Sequence, residues 1–542
     1  MTASPTPPRA APTGTEGSTG APLPPVLGRL LRGTFWLALR TPLQVVFAFW
    51  SVPLIVEHLG EGLFGAYGFA WGFGFLQFLL ELGMSSALQR QVSERWTRGD
   101  RAGVRRSVAC GMAFYATTAL VQAGVLLALA GWGIPASFRA EERRLIVQLL
   151  VLQAVTAPCF GLSVVVSSVL QAARRYDFIP RYEFWIVILR FVVLWAGLKG
   201  GVPFVGIVVA QTVISVGLSL GPALWVMVVE LGLVPRFGRF EAGDVRDLMR
   251  ISVYMALLQL SVVLADKLDT TVLGYALEEP AAAIAAYQAV SKPFLQIRQM
   301  GWMLAYLVMP AVASLAAAED RGALERIKYD GTRLLVGVLL PVVLLAALDA
   351  RPFLEAWVPR FADQAVWMRL FLLATAPLVL SVLVQMATGL GKVRVIALAA
   401  LGGSLVNLPV SYIWTRVAGD VSGVIWGTVL TTWVSNLLIP GLYCFRELGV
   451  SGREFVRRAL GSPLAGAALL LVVAWAARGL VEGPMEGSSR LERVVPLVVH
   501  LTLGVGAYVV GYGLRAEGRG DLIALARRVL RRMGVWGRLE GG

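Results

Sequence analysis

The chain has 542 residues, of which 57% are hydrophobic and 15% are charged, and its formal net charge is +15. A soluble domain carries roughly 25% charged residues. Because the deficit runs along the whole chain, the composition excludes an ordinary soluble protein and indicates many membrane spans. The positive charge does not indicate a nucleic-acid partner, because most basic residues lie in short loops between apolar segments.

The chain begins with a polar segment and continues as a series of apolar ones. Residues 1–27 are rich in Pro, Ser, Thr and Gly, which predicts a disordered tail and lacks the pattern of a signal peptide. Since a span needs about 20 apolar residues, the rest predicts an all-α polytopic membrane protein with about 14 transmembrane helices. The predicted helices cover residues 34–56, 64–86, 107–131, 146–170, 182–199, 203–229, 252–276, 284–313, 332–349, 367–388, 394–415, 421–444, 460–480 and 494–514.

Alternate loops between these helices carry most of the Lys and Arg residues. The positive-inside rule identifies these loops as cytoplasmic, and the even number of helices places both termini on the same side, N-in and C-in. The basic loops are those around residues 90–106, 174–181, 236–250, 321–333, 392–394 and 446–458.

Short sequence matches recur at a separation of 220 residues. The matched positions are Ala66-Tyr67 with Ala286-Tyr287, Asp100-Arg101 with Asp320-Arg321, and Leu170 and Arg174 with Leu390 and Arg394. A looser match joins Gly206-Ile207 to Gly423-Val424. We predict two pseudo-symmetric six-helix lobes related by an axis along the membrane normal, with a substrate path between them; the alternative is a coincidence of common loop residues.

These patterns divide the chain into successive parts. The tail at 1–27 precedes an N-lobe at 28–235 (helices 1–6), a cytoplasmic linker at 236–251 and a C-lobe at 252–450 (helices 7–12). Helices 13 and 14 occupy 451–514, and a cytoplasmic tail occupies 515–542. In that tail, apolar residues such as Leu522 and Ala526 recur at helical spacing beside arginines such as Arg527 and Arg528. This predicts a basic amphipathic helix on the cytoplasmic membrane surface.

Ionisable residues inside the seventh and eighth helices mark a candidate site, because charge is costly within a membrane. These residues are Asp266, Lys267, Asp269, Lys292 and Arg298. The eighth helix also carries a polar stripe at helical spacing, made of Gln288, Lys292, Gln296 and Gln299. A polar stripe must face protein or water, so we predict a cavity lined by these helices. The alternative is an internal salt bridge of Asp269 with Lys292 or Arg298.

The first and fifth helices carry further charge. Arg40 lies about two turns into the first helix, and Gln44 lies one turn later on the same face. Arg40 either faces the cavity or extends its side chain to the membrane interface. In the fifth helix, Arg190 follows Glu183 by two turns, and we expect the two to pair.

The predicted cavity is basic overall, and guanidinium and ammonium groups suit phosphate. We assign the binding of a diphosphate or anionic sugar to Arg40, Lys267, Lys292 and Arg298. We assign polar lining to Gln44, Gln288, Gln296 and Gln299, and a role in coupling to a proton or sodium ion to Asp266 and Asp269. We predict no catalytic residues, no metal site and no cofactor, because the chain lacks a recognisable motif for them.

Three segments of the chain have a recognisable pattern: VPLIVEHLGEGLFGAYGFAW in the first hairpin, ADKLDTTVLGYALEEPAAAIAAYQAVSKP at the start of the second half, and RPFLEAWVP. They resemble segments of Wzx-type polysaccharide flippases of the multidrug/oligosaccharidyl-lipid/polysaccharide exporter superfamily. The resemblance covers roughly residues 28–514. It implies a V-shaped cavity with alternating access, and cationic residues that hold the diphosphate of a polyprenyl-linked oligosaccharide. It also implies a multi-pass protein of the bacterial inner membrane.

The resemblance leads to one expected function and several alternatives. We expect a flippase, not an enzyme, that moves a polyprenyl-diphosphate-linked repeat unit for O-antigen, capsule or exopolysaccharide synthesis. Its partners would be that lipid, membrane lipid and a polysaccharide polymerase complex, with no nucleic acid. The alternatives are a lipid II flippase, a drug/cation antiporter and, more remotely, a membrane polysaccharide polymerase or ligase.

Overall fold

The structure, a computed structural model, describes residues 25–81, 83–175, 178–234, 268–481 and 490–532, and the single residues 243 and 260. Within these ranges every regular element is helical and no strand occurs. The prediction of an all-α protein is therefore confirmed.

The helices of the first half, in chain order, are α1 (Pro25–Gly72), α2 (Phe75–Glu81), α3 (Met84–Thr97), α4 (Arg101–Ala128), α5 (Ala140–Ala172), α6 (Phe178–Lys199) and α7 (Phe204–Trp225). Those that follow are α8 (Asp269–Ala276), α9 (Pro280–Tyr306), α10 (Val308–Ala317), α11 (Arg321–Arg326), α12 (Thr332–Leu348), α13 (Ala350–Trp357), α14 (Ala365–Leu372), α15 (Ser381–Gly389), α16 (Arg394–Ala418), α17 (Ser422–Thr432), α18 (Ile439–Glu447), α19 (Gly452–Phe455), α20 (Gly461–Ala476), α21 (Arg490–Gly513) and α22 (Ala516–Arg532). Short π or 3₁₀ turns join several of them, at Leu129–Gly133, Val226–Glu230, Ile327–Gly331, Pro359–Gln364, Leu373–Leu380, Trp433–Leu438, Val456–Leu460 and Arg478–Leu480.

Eleven helical stretches of the described chain are long and apolar enough to cross a membrane. One of them, Phe35–Glu81, has 47 residues, about twice the length that a span requires. Gly60 breaks it with a φ of 77°, so this stretch corresponds to the first two predicted helices. The predicted seventh helix lies mostly outside the described residues and enters them only as α8. The total of 14 helices and the cytoplasmic placement of the termini stay predictions.

Large apolar side chains cover the outside of the helices. Leu120 is 74% exposed and Trp132 is 90% exposed. Such extensive apolar exposure is unusual for a soluble monomer and fits a surface solvated by lipid. The main hydrophobic core runs through both halves and contains Phe69, Phe294 and Phe371.

The backbone repeats the same turn in the two halves. Asp100 caps α4 by accepting from the Gly103 amide at 2.7 Å, and Asp320 caps α11 by accepting from the Ala323 amide at 2.9 Å. In each half the residue before the cap has a positive φ, 74° at Gly99 and 54° at Glu319. The match that the sequence predicted at this turn is therefore confirmed.

In the later part of each half, equivalent positions of the two halves are separated by 217 residues. The turn after α5 has a positive φ at Arg174, and its equivalent after α15 has one at Gly391. The backbone amide of Arg174 donates to the carbonyl oxygen of Gln171, and the amide of Gly391 donates to that of Thr388, each at 2.9 Å. Arg174 therefore corresponds to Gly391 and not to Arg394, so the predicted match was wrong by about one helical turn. The separation between equivalent positions is not constant, because the second half is shorter before this turn.

An ion pair also recurs at this separation. Arg175 pairs with Glu230 in the first half, and Lys392 pairs with Glu447 at 2.7 Å in the second. Each pair joins the turn after the fourth membrane helix of its half to the end of the sixth. These equivalent contacts show that the two halves of the chain share the same internal arrangement.

Candidate functional site

Glycines allow the end of α1 to touch α9 closely. Gly65, Gly68 and Gly72 lie on one face of α1, at a spacing of three and four residues. A Cβ at Gly65 would overlap the backbone carbonyl of Ala281, and a Cβ at Gly68 would overlap the amide of Gln288. Small residues permit such close helix contacts within membranes. We call this contact the glycine seam; it joins the first half of the chain to the second.

The polar stripe of α9 begins at this seam. Gln288, Lys292 and Gln296 are partly buried, and Gln299 is exposed. The Nε2 atom of Gln288 is buried and has no hydrogen-bond partner in the described structure. The stripe therefore starts in a tight contact between the halves and becomes accessible toward the end of α9.

Lys292 and Arg298 supply the positive charge of this helix. Among the described residues, none forms an ion pair with the partly buried ammonium of Lys292. The Arg298 guanidinium lies 5.0 Å from the ring centroid of Phe294, one turn earlier. An ammonium withdrawn from water without a carboxylate carries a desolvation cost that an anionic ligand can offset.

Asp269 belongs to the same region but has a hydroxyl partner. It is buried at the start of α8 and accepts a hydrogen bond from the Tyr287 hydroxyl of α9. The proposed salt bridge to Lys292 or Arg298 is not among the described ion pairs of this part of the chain. Asp266 and Lys267 lie outside the described residues.

Arg40 lies apart from this helix, in the first part of α1. Its Nη1 pairs with Glu183 of α6, and its Nη2 donates to Gln44 at 3.4 Å. Gln44 is exposed. The expected pairing of Glu183 with Arg190 was wrong, because α6 packs on α1 and presents Glu183 to Arg40. Glu183 therefore offsets the charge of Arg40, whereas no carboxylate of the described residues pairs with Lys292.

Aromatic contacts explain why α6 turns this face toward α1. Trp36 lies 5.3 Å from Phe184, and Phe47 stacks on Phe191 at 4.3 Å between ring centroids. These contacts fix the rotation of α6, which a single-helix pattern does not determine.

Two cavities of the described structure that contain charged residues lie away from the predicted site. One, of about 1240 Å³, lies between α12, α13, α14, α20 and α21, and we call it the outer cavity. Its lining includes Asp349 and His500, which sequence reasoning missed because they lie 151 residues apart. The other, of about 690 Å³, is lined by Glu61, Glu278, Glu279 and Arg416 among others. Neither is lined by a predicted site residue.

Comparisons with known proteins give the fold and the family. The chain resembles the structure "Lipid II flippase MurJ, inward closed conformation" with a TM-score of 0.67 and 12% identity, over 90% of this chain and 99% of that chain. It resembles an inward-facing multidrug resistance MATE family transporter of the MOP superfamily with a TM-score of 0.61 and 14% identity, over 78% of this chain and 100% of that one. It also resembles an outward-facing structure of a multidrug resistance MATE family transporter with a TM-score of 0.52 and 15% identity, over 78% of this chain and 95% of that chain.

No curated protein sequence matches the chain significantly. Residues 30–316, more than half of the chain, match the family described as "Polysaccharide biosynthesis protein". Together with the fold of the MOP superfamily, this match places the chain in the polysaccharide biosynthesis protein family.

Proposed function

We propose that this protein is a flippase for a polyprenyl-diphosphate-linked oligosaccharide repeat unit. It moves the unit from the cytoplasmic to the periplasmic leaflet of a bacterial inner membrane by alternating access. The product serves O-antigen, capsule or exopolysaccharide synthesis. The observation that carries the proposal is the partly buried Lys292, which has no ion-pair partner among the described residues and lies in a polar stripe that begins where the two halves meet.

The chemistry of α9 suits an anionic sugar lipid. Lys292 and Arg298, with Lys267, attract the diphosphate, because cationic side chains make strong charge-assisted hydrogen bonds to phosphate. Arg40, which pairs with Glu183, joins them when the substrate opens that pair. The amides of Gln288, Gln296 and Gln299 offer donors and acceptors to sugar hydroxyls. The polyprenyl chain stays in the lipid. Asp266 and Asp269 remain our candidates for ion coupling.

The direction of access follows from the seam and the predicted topology. The loop between α8 and α9 lies on the periplasmic side, so the glycine seam closes that side and the stripe opens toward the cytoplasm. The higher TM-score to the inward-facing than to the outward-facing MATE structure supports this arrangement. A substrate that loads from the cytoplasm needs this state.

The C-terminal helix α22 supports attachment to the cytoplasmic membrane surface. Ile523 and Leu525 are exposed beside Arg527 and Arg528. Apolar and basic residues together bind an anionic lipid surface. A polymerase complex that receives the product is the partner we propose on the periplasmic side.

The first test removes the charge of Lys292. We expect Lys292→Gln to slow export roughly tenfold or more, since a hydrogen bond to a charged group contributes about 1.5–3 kcal/mol. The measurement is mass analysis of polyprenyl-linked sugars and of surface polymer in a deletion strain that carries each variant. Lys292→Arg should retain most export.

The control is Lys199→Gln, which removes a lysine from the exposed end of α6. Normal export by Lys292→Gln at normal protein level would contradict the proposed role.

A lipid II flippase is the second candidate, because the MurJ structure covers most of the chain. The same extraction separates the two. An accumulating complete oligosaccharide repeat unit supports our proposal, whereas an accumulating peptidoglycan precursor supports the second. The basic stripe disfavours a drug/cation antiporter, whose cationic substrates require acidic groups.

A further inference from the structure

A histidine and an aspartate lie buried in the wall of the outer cavity. The side chains of His500 in α21 and Asp349, which links α12 to α13, are only 3% and 4% exposed. Nδ1 of His500 lies 3.0 Å from the Asp349 carboxylate, and Nε2 lies 3.0 Å from the carbonyl oxygen of Ala474 in α20. The imidazole therefore joins three segments of the chain.

The hydrogen-bond partners fix how many protons this pair holds. The Ala474 carbonyl can only accept, so Nε2 must donate to it. In a neutral ring Nδ1 then carries no hydrogen, and it would face a carboxylate that also only accepts. Such a contact between two buried acceptors is unfavourable. The observed contact requires one more proton, either on Nδ1 or on the Asp349 carboxyl.

We propose that His500 and Asp349 form a proton-binding site, reached from the outer cavity, whose occupancy holds α20 and α21 against α12 and α13. Apolar residues make much of the remaining contact between these elements, including Leu345, Leu470 and Tyr508. Loss of the proton would leave two acceptors in contact and weaken the docking. The site does not depend on which lipid-linked substrate the protein carries.

Other charged groups line the outer cavity. They are Arg351 and Glu355 of α13, Asp363 of the following 3₁₀ turn, Arg369 of α14, and Arg478 after α20. Arg351 pairs with Glu355 at 3.0 Å and with Asp363 at 3.4 Å, and Arg369 Nε donates to the Ala347 carbonyl at 3.1 Å. Histidine is the residue type whose charge ordinarily changes between about pH 5 and 8. His500 is therefore the group of this cavity suited to respond to pH.

The test measures the distance between α12 and α21 as the pH changes. Spin labels replace Val342 and Val498, which are both exposed, in a full-length chain with Cys110, Cys159 and Cys444 substituted. In lipid nanodiscs we expect one narrow distance at about pH 5.5 and a longer, broader distribution at about pH 9. This direction follows because the proton stabilises the docked state and is lost as the pH rises.

Two variants identify the site. In Asp349→Asn the amide donates to Nδ1 and replaces the shared proton, so the distance should stay narrow at both pH values. His58→Gln removes the other histidine of the chain, which has two, and should keep the wild-type response. A wild-type distance that does not change with pH would overturn the proposal without any variant. An Asp349→Asn response equal to that of the wild type would overturn it as well.

Discussion

At the scale of single residues, Arg333 and Asp521 form the most extensively bonded ion pair of the described chain. Arg333 Nε and Nη2 donate to the two carboxylate oxygens of Asp521 at 2.7 and 3.0 Å. The Tyr512 hydroxyl donates to the same carboxylate at 2.8 Å. Arg333 also donates to Asp330 at 3.1 Å and to the Arg458 carbonyl at 3.2 Å. This pair fastens the C-terminal helix α22 to the start of α12.

Removal of one partner should therefore be costly. We expect Asp521→Ala to destabilise the protein by about 3 kcal/mol, because it removes the bidentate partner of the buried Arg333 guanidinium and leaves only the single contact with the Asp330 carboxylate. The measurement is thermal unfolding of the purified protein in detergent. Arg527→Ala, on the exposed side of the same helix, should leave the unfolding temperature unchanged. Equal unfolding temperatures for Asp521→Ala and the wild type would show that α22 is not held by this pair.

Residue patterns predicted the polar stripe but not the partner of Arg40. The glutamines and Lys292 share one helix, so their common face follows from helical spacing alone. The partner of Arg40 depends on which helix packs beside α1 and how that helix is rotated. The His500–Asp349 contact has the same origin, since it needs three segments to meet. Contacts between distant segments leave no local spacing in a sequence.

At the scale of helices, the glycine seam sets how closely the two halves approach. At Gly65 the obstacle to a side chain is backbone, the Ala281 carbonyl, which cannot rotate away. At Gly68 the obstacle is the end of the flexible Gln288 side chain. Gly65 is therefore the position where an added methyl group must separate the helices.

We expect Gly65→Ala to weaken the closed seam and reduce export. Overpacking costs about 1–3 kcal/mol, which shifts the equilibrium between closed and open states roughly 5- to 150-fold. Accumulation of the lipid-linked sugar in cells measures the effect. Gly124→Ala is the matched control, because a Cβ there meets nothing within 4 Å. If both variants exported normally, close contact at the seam would not be needed for transport.

Helix positions were more predictable than helix ends and register. The length of the apolar segments located most spans, because any helix that crosses a membrane needs about 20 apolar residues. The register of the repeat was right at Asp100 and Asp320 and wrong after α15. The positive φ angles of Arg174 and Gly391 identify these two residues as equivalent. The sequence does not predict a positive φ at Arg174, because that conformation is typical of glycine. In these two turns the backbone shape recurs although the residue type differs.

At the scale of the whole molecule, α12 holds the final helices at both of its ends. Arg333 near its start binds Asp521 of α22, and Asp349 just after its end contacts His500 of α21. Between these points Leu345 packs among residues of α20 and α21. The last helix pair is thus attached to the second half at both ends of α12, so a change in its docking would be transmitted to that helix.

The orientation of the molecule in the membrane decides which side the seam closes. The distribution of Lys and Arg predicts that Glu278 lies outside and Glu319 lies inside; both are exposed. Cysteines replace these residues singly in a chain without its natural cysteines. A membrane-impermeant thiol reagent should label Glu278→Cys in intact cells, and Glu319→Cys only after permeabilisation. Labelling of Glu319→Cys in intact cells would place the seam on the cytoplasmic side. The polar stripe would then open outward, and the proposed loading of substrate from the cytoplasm would fail together with the topology.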